Sequence, residues 1–190
     1  LDAPEARAAV LEAARSAGIT EFDIGSASNA TGWLTAAAET SGVRPLLRVH
    51  FLGGSLTMGP YLRDHPDQRL ILPDGKPSDA LVCTSALLEE AWPAAETLLA
   101  GQIARFRPAS VVYDYEYAPL DTHAVHSCYC PRCLSAFRAH AGLGADVALD
   151  GAAISKAHAE AWTDFMALQC ARLFRVMKEA VHRIAPGTRF

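Results

Sequence analysis

The sequence predicts an α/β fold: part of a (β/α)8 TIM barrel, with parallel strands alternating with helices. Three observations carry this expectation. Strand-like apolar runs at residues 19–25, 44–51 and 110–117 alternate with stretches of helical periodicity. Alternation of that kind implies a parallel sheet with right-handed crossovers. No Gly-x-Gly-x-x-Gly follows any of these runs, which disfavours an open dinucleotide-binding sheet. Four strand–helix units make up about half of a ~250-residue barrel. The chain starts on a helix and stops on a strand, so it reads as the N-terminal half of a barrel, an excerpt of something longer.

The elements follow in order. Asp2 and Glu5 resemble a capping box, Pro4 suits a first helical turn, and Val10, Leu11 and Ala14 form an apolar stripe that Gly18 ends. After the first strand comes the loop GSASNATG, then a short helix over residues 33–40. The second strand leads into a long segment, residues 56–83, with four prolines and little periodicity; it reads as loop. Ser85 can cap a third helical region, and a longer helix spans residues 93–106 until Pro108 closes it. The last helix covers residues 155–184. Trp162, Phe165, Met166, Leu173, Val176, Met177, Ala180 and Ile184 supply its buried stripe. Pro186 and Gly187 stop it, and residues 188–190 open a fourth strand.

The composition narrows the function. With 190 residues, 51% of them hydrophobic, the chain can bury a real core. A net charge of -4 lacks the basic footprint of a nucleic-acid binder. No apolar run approaches the ~20 residues of a membrane span, and no signal-peptide pattern is present. The partners expected are therefore a small molecule rather than nucleic acid or membrane, with room for a homo-oligomer. Five cysteines, three of them clustered, read better as a metal site than as a disulfide framework. Cysteines kept reduced favour a cytoplasmic setting. Cys170, inside a helical pattern, reads as a small buried hydrophobe.

The densest chemistry lies in VVYDYEYAPLDTHAVHSCYCPRC, residues 111–133. Strand alternation places Val112, Asp114 and Glu116 on one face and Val111, Tyr113, Tyr115 and Tyr117 on the other. Two carboxylates on one face, roughly 6–7 Å apart, couple so that one pKa rises, which suits a general acid. Cys128, Cys130 and Cys133 offer three thiolates of a tetrahedral zinc site. Candidates for the fourth ligand are Cys83, His126 and His123; Cys83, at the start of a helix, is favoured. The cysteines are not expected to open a helix directly after a strand, which argues against a thioredoxin-like motif. His50, Asn29 and Ser26 follow strands and could touch a substrate; plain loop roles compete with this. Trp33 and Trp92 fit a core better than a sugar platform. Asp121, His123 and His126 either orient the loop or are solvated.

Together, a Glu at a strand end, CYCPRC, the Ala136-Phe137-Arg138 stretch and Trp162 opening a long helix resemble family 42 of the glycoside hydrolases, the β-galactosidases, and related glycosidase-like barrels. The likeness spans residues 75–190. It implies a structural zinc on Cys83, Cys128, Cys130 and Cys133, and Glu116 as acid/base residue. It also implies a carbohydrate substrate, with His50 and Asn29 as substrate-binding candidates. In that family Asn precedes the Glu; here Tyr115 does, and Asp114 lies two before it. The Asp-x-Glu-Tyr run is similar to the end of the family 18 chitinase motif, which implies a substrate-assisted alternative using Asp114 and Glu116. The expectation is a glycosidase-like N-terminal half-barrel over residues 1–190 with a zinc-binding loop at 119–135. It would be a hydrolase of O-glycosidic bonds or, alternatively, a non-catalytic zinc-stabilised carbohydrate-binding barrel.

Overall fold

The computed structural model describes residues 4–23, 41–49, 58–113 and 127–190. Helix α1, Pro4–Ser16, ends where Gly18 takes φ +74° and the Ile19 amide donates back to the Ala14 carbonyl at 2.9 Å. A left-handed residue there costs glycine little. Strands β1, Glu21–Asp23, β2, Arg44–Val49, and β5, Ser110–Tyr113, form a three-stranded sheet in the order β1-β2-β5. All pairings are parallel, with Glu21 opposite Arg44 and Leu46 opposite Ser110. Arg189 adds one parallel bridge to Ser110, so the chain's last residues run beside β5. Parallel pairing brings the C-terminal ends of the three strands, Asp23, Val49 and Tyr113, to one edge of the sheet.

The middle of the chain departs from the expected loop. Helix α2, Gly59–Asp64, and a 3-10 turn, Pro66–Gln68, lead into a hairpin of β3, Arg69–Ile71, and β4, Pro77–Val82. This second sheet is antiparallel. Its turn is PDGK: Gly75 has φ +82°, and Asp74 accepts from the Lys76 amide at 3.1 Å. A single turn α3, Thr84–Ala86, passes into a π-turn, Leu87–Ala91, and then helix α4, Trp92–Phe106. Helices α5, Pro131–His140, α6, Gly151–Ala157, and α7, Ala159–Ile184, complete the chain.

These elements correct the expected barrel. Among the described residues there is one three-stranded parallel sheet and one separate two-stranded antiparallel hairpin, with no eight-fold closure. Strand–helix alternation specifies parallel neighbours but says nothing about closure. The hairpin, inserted between β2 and β5, also breaks the repeating unit a barrel requires.

Two buried clusters organise the packing. In the first, Leu47, Val49 and Val111 of the parallel sheet meet Leu99, Ile103 and Phe106 of α4 and Leu173, Met177 and Val181 of α7. The opposite sheet face is polar: Arg48 pairs with Asp23, and Glu21 takes both Ser110 and Arg189. Val112 on that face is 41% exposed while Val111 is buried. The second cluster gathers Leu70, Phe137, Ile154, Trp162, Phe165 and Met166 around the cysteines.

Candidate metal centre

Three local structures bring four thiols together. The hairpin delivers Cys83: its amide donates to the Gln68 carbonyl at 2.8 Å, and its carbonyl accepts from the Leu87 amide as the N-cap of α3. Residues 127–129 run past the end of β3, where the Tyr129 amide donates to the Ile71 carbonyl at 2.9 Å. In return the Ile71 amide donates to Cys128 Sγ at 3.3 Å. Cys130 is the N-cap of α5, with Pro131 at the first helical position, and its Sγ accepts from the Cys133 amide at 3.5 Å. Cys133 lies in the first turn, its Sγ 3.3 Å from Ser85 Oγ.

The sulfur geometry fits a tetrahedral ion. Cys83 Sγ lies 3.4 Å from Cys133 Sγ and 3.6 Å from Cys130 Sγ. All four sulfurs lie within 4.8 Å of one another. Four thiolates about 2.3 Å from a central zinc stand on tetrahedron edges of about 3.8 Å. All four cysteines are reduced and buried. The cluster can therefore hold a metal ion, and its all-sulfur donor set is compatible with zinc.

Electrostatics agree with a shared ion. The hydrogen bond from Cys128, then those of Cys133 and Cys83, hold the Cys130 thiol far below the ordinary thiol range. Cys83 is lowered too, chiefly by Cys128. Cys128 is pushed up, first by its hydrogen bond to Cys130, and Cys133 is pushed up, first by Cys128. Protons thus stay on some sulfurs only because others have given theirs up. A divalent cation replaces those protons and stabilises all four as thiolates. Four thiolates close the coordination sphere, leaving no position for water.

The sequence placed Cys83 with Cys128, Cys130 and Cys133, and the structure brings these four together. Contrary to expectation, Cys130 and Cys133 do open a helix, because Cys-Pro-Arg-Cys supplies an N-cap followed by Pro. Sequence reasoning missed Ser85 as a sulfur partner, reading it as a helix cap, and missed Arg132. The contact of Ser85 with Cys133 spans 48 positions, so no local pattern reveals it. Asp114, Glu116, His50 and Asn29 lie outside the described residues, as do Ser26, Trp33, Asp121, His123 and His126. Trp92 packs partly buried against the first core, its Nε1 donating to Glu96 at 3.0 Å, and Cys170 is buried. Comparison with known proteins finds no matching family model, no matching curated protein and no matching solved structure.

Proposed function

We propose that this protein is a glycoside hydrolase whose loops are stapled by one structural zinc ion. The observation that carries the zinc is the convergence of Cys83 with the Cys128–Cys133 segment. A closed set of four thiolates braces structure rather than activating water. Elemental analysis of the purified protein tests it: one zinc per chain is expected, and Cys83→Ser should lose it. A metal-free wild type, or zinc kept by Cys83→Ser, would refute the assignment.

In this reading the chemistry belongs to Glu116, which protonates the glycosidic oxygen, with Asp114 tuning that acid or contacting the sugar. The support is the sequence resemblance together with topology. Asp114 directly follows Tyr113 at the end of β5, and His50 directly follows Val49 at the end of β2. These ends share one sheet edge with that of β1, and α/β sheets keep ligands outside the carboxyl ends of their strands. The test is turnover of a panel of aryl glycosides. Glu116→Gln should lower kcat by about 10²–10⁴ where the leaving group needs protonation. Sugar binding without turnover in wild type would point instead to a carbohydrate-binding protein, and an active Glu116→Gln would remove the residue's role.

A further inference from the structure

We propose that Arg132 is the cation that offsets the negative charge of the thiolate cluster, and that Glu89 and Glu90 hold it in place. This rests on reading the four thiolates as a metal site. Four thiolates around a divalent ion carry a net charge of about -2. Here that charge sits among Leu70, Phe137, Ile154 and Trp162, where uncompensated charge is costly. The Ile71 amide, the Cys133 amide and the Ser85 hydroxyl contribute dipoles only. Arg132 lies between two ligands in sequence and contributes a full positive charge that interacts with the charges on Cys83 and Cys130.

Helix stability does not account for this arginine. It stands in the first turn of α5, where the helix dipole disfavours a cation. Its partners are arranged instead by the π-turn. Arg132 Nη2 is 2.5 Å from Glu90 Oε1, and Nε is 3.5 Å from Glu89 Oε2. In an ordinary α-helix two consecutive side chains point about 100° apart. The wider turn at Leu87–Ala91 brings both carboxylates to one guanidinium. Glu90 Oε2 in turn accepts from Gln68 Nε2 at 2.9 Å, and Gln68 Oε1 accepts from Tyr61 Oη at 3.0 Å. Gln68 is buried, and its carbonyl also takes the Cys83 amide. One residue thus fixes both a ligand's backbone and the carboxylate that aims Arg132.

The test is zinc affinity by chelator competition, with Arg132→Gln, Arg132→Lys and wild type side by side. Arg132→Gln should bind zinc about 10-fold or more weakly, as removal of outer partners does in metal sites. Arg132→Lys, which keeps the charge, should recover most of the loss. Thermal melting of the metal-free proteins should coincide, because a partly exposed ion pair adds little to stability by itself. Wild-type affinity in Arg132→Gln, or a Lys variant as weak as the Gln variant, overturns the proposal. A wild type that binds no zinc overturns instead the metal-site reading beneath it. Should Arg132→Gln not fold, Arg132→Met, which keeps the apolar stem, is scored in the same way.

Discussion

Trp162 is fully buried, yet its indole Nε1–H has no hydrogen-bond partner. It is held by its rings instead: Tyr129 stacks on it at 5.0 Å, and Phe137 meets it edge-on at 4.9 Å. Tyr129 sits between Cys128 and Cys130 in the chain, so this stack presses the ligand loop against α7. Trp162→Phe keeps a ring and deletes an orphan donor. It should cost only about 1 kcal/mol, against about 3–5 kcal/mol for Trp162→Ala. Urea melts of the two variants check this; equal losses would mean that the indole is satisfied after all. At this scale the sequence was informative where chemistry is local. Cys-x-Cys-x-x-Cys declares itself by spacing, and Cys83 by its place at a helix start. The Ser85–Cys133 contact and the tie from Arg132 to Glu89 and Glu90 join residues more than forty positions apart, and no spacing rule reaches them.

Among the elements, the hairpin β3–β4 does most to build the centre and was the least legible. β3 has three residues and β4 begins with a proline, so neither shows the alternation by which a strand is recognised. The readable signal was the PDGK turn between them. The hairpin is also pinned from outside. Gly151, the first residue of α6, lies so close to the turn that an added Cβ would meet the Pro73 carbonyl oxygen at 2.6 Å and its Cα at 3.0 Å. Both are backbone atoms, so no rotamer change relieves the contact. Gly151→Ala should therefore destabilise the protein by about 1–3 kcal/mol, although alanine is the better helix former. Thermal melting decides the matter: a stabilised variant would mean that the turn yields freely. The strands β1, β2 and β5 fall within the ranges their apolar runs indicated. The π-turn was not legible, because LLEEA carries an ordinary helical pattern and its register is set by tertiary contacts.

At the scale of the molecule, the expected barrel gives way to two cores joined by one long helix. The first half of α7 supplies Trp162, Phe165 and Met166 to the cysteine cluster, and its second half supplies Leu173, Met177 and Val181 to the sheet. Leu81 of the hairpin touches both cores. The barrel was misread because periodicity reports which face of an element is buried, not how many strands complete a sheet. The two cores differ in what holds them. The sheet core is large and aliphatic. The cysteine core is fed by a three-residue strand, a short helix and a loop, and its ligands Cys83 and Cys133 are separated by 50 positions. A metal ion there closes a long loop, and its binding free energy becomes folding free energy for the segments that supply its ligands. Chelation should therefore act unevenly. Hydrogen exchange after metal removal should show lost protection in β3, β4, α5, α6 and the first turns of α7. Protection in β2, β5, α4 and the last turns of α7 should persist, since local stability follows local packing. Uniform loss along α7 would show that the two cores unfold as one unit. Unchanged exchange on chelation would show that the thiols hold the loops together without an ion.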